Sequence, residues 1–182
     1  RFIEMNRGRT VPSEFRRQWL LLVCWFYQAD LDYGAIVPWL DELRSVAPDD
    51  PELALAEGTF YETLVWTGAP PADFSWNGRS RTMAPIANRP HDEVLLRASE
   101  RFRVAASAPA LHDAASAHLG RVLATIGRSN DAREVLRPLM ADAVERRWRY
   151  LAALFLAQAE SGARRYDAAI AAYCGFAVVE FR

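Results

Sequence analysis

Leu119-Gly120-Arg121-Val122-Leu123-Ala124-Thr125-Ile126-Gly127-Arg128-Ser129-Asn130-Asp131-Ala132-Arg133-Glu134-Val135-Leu136 is the stretch that decides the fold. Leu119 and Leu123 share one helical face with Gly120 between them, and Ala132 and Leu136 share another. Gly127-Arg128-Ser129-Asn130 separates the two faces with turn formers. A small residue is needed where two helices cross closely, with large apolar residues on either side and a turn between. The stretch therefore predicts two helices, over residues 111–126 and 131–144, packed back to back across Gly120. Pro138 falls inside the second, where it removes the hydrogen bond to Glu134 and bends the helix.

The same three-and-four periodicity recurs outward in both directions. Residues 13–28 carry Phe15, Trp19, Leu22, Val23 and Phe26 as an apolar face with no helix breaker. A polar link, 30–34, leads to Ile36, Trp39, Leu40, Leu43 and Val46 and then Pro48, with Pro38 expected in that helix's first turn, where its missing N–H is not needed. Asp50-Pro51-Glu52 is a helix start: a cap acceptor, a proline at the first helical position, and an acid against the positive end of the helix dipole. The helix it opens covers 51–66. Residues 92–107 follow with Val94, Leu95, Ala98, Phe102 and Ala105 on one face, and residues 148–161 and 166–181 complete eight helices. With no alternating strand pattern, the chain reads as all-α. Residues 1–12 form an amino-terminal arm and 13–182 one helical domain, interrupted by a long loop over 67–91 that holds Pro70, Pro71, Phe74, Trp76, Pro85 and Pro90. Loops of this length are uncommon in compact domains, and Phe74 and Trp76 either fold back as a lid or meet a partner.

A period emerges when the helices are taken in pairs. Gly58, with Ala54 and Tyr61, and Cys24, with Leu20 and Tyr27, lie 34 residues apart, and Ala157, with Ala153 and Leu156, lies 37 after Gly120. These spacings resemble the tetratricopeptide repeat, a helix-turn-helix unit of 34 residues. The resemblance covers four units: 13–48, a unit opened at Pro51 and interrupted by the loop, 111–144, and 148 onward. It is most complete in the third. In the fourth, Arg164 stands where the family's turn carries glycine, and Gly162 falls two places early. The resemblance implies a right-handed α-solenoid of about four such units, one of them holding the loop insertion. A generic helical bundle is the competing architecture.

Proteins resembling this family mostly hold a partner's segment in the concave groove lined by the first helices. Groove positions here are Gln18, Leu21, Trp25 and Gln28; Glu52, Leu55, Thr59 and Glu62; Ala114, Arg121 and Thr125; and Leu151, Leu154 and Gln158. The expected function is a non-enzymatic scaffold or adaptor that binds a protein or peptide partner. The alternative is a structural subunit of a larger homo- or hetero-assembly docking through its apolar ends, with Phe176, Val179 and Phe181 as the assembly face.

Other classes find little support. Twenty-three acids against 22 bases leave a net charge of -1, so no bulk charge draws the chain to nucleic acid. An RNA-reading repeat would need a basic groove, which the single Arg121 does not make. The longest apolar run, 19–27, falls far short of the ~20 residues of a membrane span. His91, His112 and His118 include no i,i+4 pair and no ligand-spaced Cys or Glu, so they read as surface or groove histidines, and no metal or cofactor is expected. No nucleophile-base arrangement or phosphate loop is present, so no enzyme is expected. Cys24 and Cys174, each in an apolar stretch, read as buried free thiols. Charge is uneven: residues 30–62 hold nine acids and one base, Arg44, and are expected either as a solvated face or as an attractor of a basic partner segment. All 22 bases are Arg, which points to a GC-rich, bacterial genome. The chain opens at Arg1 without Met and stops in an apolar run, as a processed or partial product would, and the compartment stays unread.

Overall fold

The computed structural model describes residues 11–29, 33–66 and 90–180, and within them every side chain but those of 33, 34 and 176–180. Eight α-helices follow one another in these residues: α1 (Ser13–Ala29), α2 (Tyr33–Val46), α3 (Pro51–Trp66), α4 (His91–Ala106), α5 (His112–Thr125), α6 (Ser129–Asp142), α7 (Arg146–Gly162) and α8 (Tyr166–Glu180). A 3-10 turn, Pro109–Leu111, leads into α5, and the described residues contain no strand. The protein is all-α. The amino-terminal arm up to residue 10, and Phe74 and Trp76 of the long loop, lie outside the described residues.

Asp50 starts α3 as its sequence demands. Its Oδ1 accepts the N–H of Glu52 at 2.9 Å, and its carbonyl accepts that of Ala54 at 3.0 Å. In α2 the expectation needs correcting: the helix begins at Tyr33, so Pro38 sits inside it rather than in the first turn.

Helices pack in sequential pairs, α1 with α2, α3 with α4, α5 with α6 and α7 with α8, and each pair packs on the next. Two of the crossings share one geometry. A Cβ placed on Gly58 would meet the Phe102 ring of α4, and one on Gly120 would meet the Leu136 side chain of α6. Both large residues are fully buried. The long loop between α3 and α4 thus leaves the crossing of its helix pair like that of the uninterrupted pair. Each first helix also touches the next first helix, α1 with α3, α3 with α5 and α5 with α7, and contact between successive second helices is sparser among the described residues.

The turns repeat as well. After α5, the N–H of Arg128 donates to the Leu123 carbonyl at 2.9 Å across Gly127, which has φ 79°. After α7, the N–H of Arg165 donates to the Glu160 carbonyl at 2.8 Å across Arg164, which has φ 59°. These are the same left-handed helix end, 37 residues apart, once with glycine and once with arginine. A side chain costs about 1–2 kcal/mol in that conformation, and glycine gives back about 0.5–1 kcal/mol through the freer unfolded chain. Arg164→Gly is therefore expected to stabilise the protein by about 0.5–1 kcal/mol, read as an upward shift of the urea midpoint at unchanged m-value.

Two apolar assignments change. The buried side of α1 is Leu20, Val23, Cys24 and Tyr27, whereas Phe15, Leu22 and Phe26, expected on the core face, are exposed. A nearly all-apolar helix has no polar face to orient it, so contact with α2 and α3 decides which side is covered. Cys24 is buried and Cys174 is exposed, contrary to the expectation of two buried thiols, and both are free. Burial, with the charge of Glu57 adding to it, pushes the Cys24 thiol up to about 12, which makes it inert as a nucleophile at neutral pH.

Candidate functional site

The residue that follows each small crossing residue stays open in all four helix pairs. Cys24, Gly58, Gly120 and Ala157 are buried, while Trp25, Thr59, Arg121 and Gln158, one step further along α1, α3, α5 and α7, are half-buried or exposed. Gln18 and Thr125 are exposed too, and Glu52 is half-exposed, its carboxylate 3.6 Å from Arg17. The Thr59 and Thr125 hydroxyls donate to the carbonyls four residues back, at 2.9 Å each.

Gln28 and Glu62 do not belong to this open face. Gln28 is buried and donates its amide to the Ala56 carbonyl at 2.6 Å, tying α1 to α3. Glu62 is buried under α5, with His118 Nδ1 2.6 Å from Oε2 and Arg121 Nε 3.7 Å from Oε1. α3 packs on the first helices of both neighbouring pairs, and Glu62, three past Thr59, falls beneath α5. His118 is thus a bridging side chain rather than a surface one, its ring stacked on that of Phe102 at 5.2 Å.

Arg121 is the most constrained member of the open face. Its guanidinium lies 4.2 Å over the Trp66 ring and 5.6 Å from that of Phe155, so α3, α5 and α7 each supply one side of the arrangement. Contacts of this kind hold a cation in place without consuming its N–H donors. Trp66 and Phe155 were not among the residues expected from sequence. Trp66 lies four residues past Glu62 and seven past Thr59, at helical spacing on the same side of α3. Phe155 gives no local signal, since it sits among apolar neighbours.

Of the nine acids in 30–62, six are ion-paired, while Asp49 is exposed and Asp30 and Asp32 lie outside the described residues. Asp41 pairs with Arg44, Glu42 with Arg16, Asp50 and Glu52 with Arg17, Glu57 with Arg44 and Arg101, and Glu62 with His118 and Arg121. Glu57 is fully buried, and such a carboxylate persists only when cations and hydrogen bonds replace its water. Burial resists ionisation of Asp50, yet hydrogen bonds from Arg17 and from the N–H of Glu52 outweigh it and hold the acid below its ordinary value. At the other end of the molecule Glu160 of α7 receives two hydrogen bonds from Arg133 of α6, at 2.6 and 3.0 Å, and one from Arg165. Arg133 first, then Arg165, keeps its carboxyl below the usual range against the opposing effect of burial. Burial, reinforced by Glu57, raises the Tyr61 phenol to about 12. These groups join helix pairs to one another.

No group of three or more His, Cys, Asp or Glu among the described residues could hold a metal ion, and no described helix is long and apolar enough to cross a membrane. Phe176 and Val179 lie on the backbone of α8, with their side chains outside the described set, and Phe181 is outside it altogether. Compared with known proteins, the chain matches no family model, no curated protein and no solved structure.

Proposed function

We propose that this chain is a non-enzymatic scaffold of the tetratricopeptide-repeat type that holds an extended segment of a protein partner along its first helices. The observation that carries this reading is the ladder Trp25, Thr59, Arg121 and Gln158, open at one repeat position in all four helix pairs. Three further features support a solenoid beneath it: the like crossings at Gly58 and Gly120, the turn repeated at Gly127 and Arg164, and contact between successive first helices. An array whose first helices meet more closely than its second helices curves toward the first-helix layer, which would set the ladder on the concave side of the proposed solenoid.

The ladder's chemistry sets what it accepts. Trp25 takes an apolar side chain, Thr59 and Gln158 are neutral, and Arg121, braced by Trp66 and Phe155, takes a carboxylate or carbonyl oxygen. Helix axes about 10 Å apart put Trp25 and Arg121 roughly 20 Å from each other. An extended peptide spans that with about six residues. The best ligand therefore carries an apolar residue and an acid or terminal carboxylate about six positions apart.

A displayed random-peptide library selected on the protein tests this, with enriched peptides titrated by fluorescence polarisation. Trp25→Ala and Arg121→Met are expected to weaken binding more than about 10-fold, the loss of one well-packed anchor, while Arg137→Ala, on the exposed side of α6, leaves it unchanged. Enriched peptides indifferent to both ladder variants, or no enrichment, overturn the reading.

A further inference from the structure

Within the chain, each first helix after α1 is covered by the second helix of the preceding pair. The register of that cover is visible where Phe102 of α4, which meets the crossing glycine of its own pair, stacks on His118 of α5, two residues before the crossing glycine of the next. The equivalent residues are Leu40 of α2 and Ala56 of α3 at one seam, and Leu136 of α6 and Phe155 of α7 at another. Leu40, Ala56 and Leu136 are fully buried, and Phe155 packs against the core.

The same two positions occur once more, in the first and last of the described helices, without a neighbour among the described residues. Tyr173 of α8 is 51% exposed and Leu22 of α1 is 59% exposed. Their surroundings follow suit. Phe26 is exposed, while its equivalents Phe60, Val122 and Ala159 are buried; Ile170 is exposed, while its equivalents Val37 and Ser99 are buried and Arg133 is half-buried. Phe15 extends one stripe and Tyr166 the other. Among the described residues no second helix covers the first face, and the last second helix covers no further first helix.

We propose that copies of this chain associate head to tail, the α8 face of one seated on the α1 face of the next, so that the internal seam recurs between molecules in the same register. A second copy is the occupant because both halves of the seam belong to this chain and stand at matching repeat positions, whereas an unrelated partner would satisfy one half and leave the other open. The contact is heterologous, so it propagates into open chains, or closes into a ring if the rotation per copy allows. One helix face lies at the small end of protein interfaces, so association is expected to be concentration-dependent, detectable from about 10 µM upward. This goes beyond partner binding on the first helices and does not depend on it.

The test is sedimentation equilibrium of the whole chain from about 10 to about 500 µM, with one variant for each end, Leu22→Glu and Tyr173→Glu. Both side chains are exposed, and Phe26→Glu and Ile170→Glu serve as second variants should either fail to give the wild-type helical circular dichroism. The wild type is expected to grow in mass with concentration and each variant alone to stay monomeric. An equimolar mixture of the two is expected to give a 1:1 dimer and nothing larger, because each retains the end that the other has lost. A wild type that stays monomeric overturns the proposal. So does self-association that survives the single variants, or variants that fail to complement each other, the pattern of a two-fold symmetric contact.

Discussion

Gly58→Val is expected to lower the stability of the protein by about 3 kcal/mol or more, the upper end of the range for overpacked cores. A Cβ at this position stands 2.6 Å from Cε1 and 2.7 Å from Cδ1 of Phe102, a ring that is fully buried and has nowhere to turn. Valine adds two methyl groups beyond that Cβ and gains only a few tenths of a kcal/mol in helix propensity over glycine, so packing decides the sign. For a chain of this length the loss corresponds to a melting temperature lower by roughly 6–12 °C. The cause is checked by a double-mutant cycle with Phe102→Ala, where the double variant is expected to lose far less than the sum of the singles. Gly162→Ala, at a site with nothing within 4 Å, is the control and is expected to change stability by less than about 0.5 kcal/mol. Additive losses at Gly58 and Phe102 would mean that the two helices do not cross there.

The second large effect comes from charge. Arg44→Met with Arg101→Met removes both cations from Glu57 and leaves a carboxylate with no exposed surface either to protonate or to draw water inward. The expected loss is about 3–5 kcal/mol, the usual result of stripping the partner from a buried ion. Glu57→Met alone is expected to cost less, because the two arginine side chains are partly exposed and can turn to solvent. Adding Glu57→Met to the arginine pair is expected to recover most of the stability, since an apolar trio of similar volume needs no counter-charge. Urea midpoints of the three variants check the ordering. An arginine double variant as mild as an ordinary surface substitution would show that Glu57 is not sealed from water.

The parts of the fold readable in sequence are those set by neighbours along the chain. α3 begins and ends at Pro51 and Trp66 as expected, because Asp50-Pro51-Glu52 carries its start signal within three residues. The turn between α5 and α6 was legible for the same reason, its Gly127 being the residue that a left-handed helix end favours. The equivalent turn at Arg164 was placed by the repeat register alone, with no glycine to mark its left-handed conformation, which the hydrogen bonds of the helix end impose. The exposed side of α1 was misjudged because residues 19–27 are apolar throughout and every face scores alike. Trp25, Thr59, Arg121 and Gln158 were all read from the repeat register, but the same register also offered Gln28 and Glu62, which are buried. Glu62 is covered by a histidine 56 residues away, a pairing that no local spacing encodes.

The buried carboxylates also bear on how the molecule comes apart. Glu57, Glu62 and Glu160 each take a cation from an adjacent helix pair: Arg44, Arg121 and Arg133. Peeling away one pair therefore costs more than its apolar contacts, since it strands an ion in the pair that remains. In a linear array this is strong nearest-neighbour coupling beside weak intrinsic stability of each element. Such a chain is expected to melt as one block rather than to fray from its ends, with circular dichroism and calorimetry giving one coincident transition.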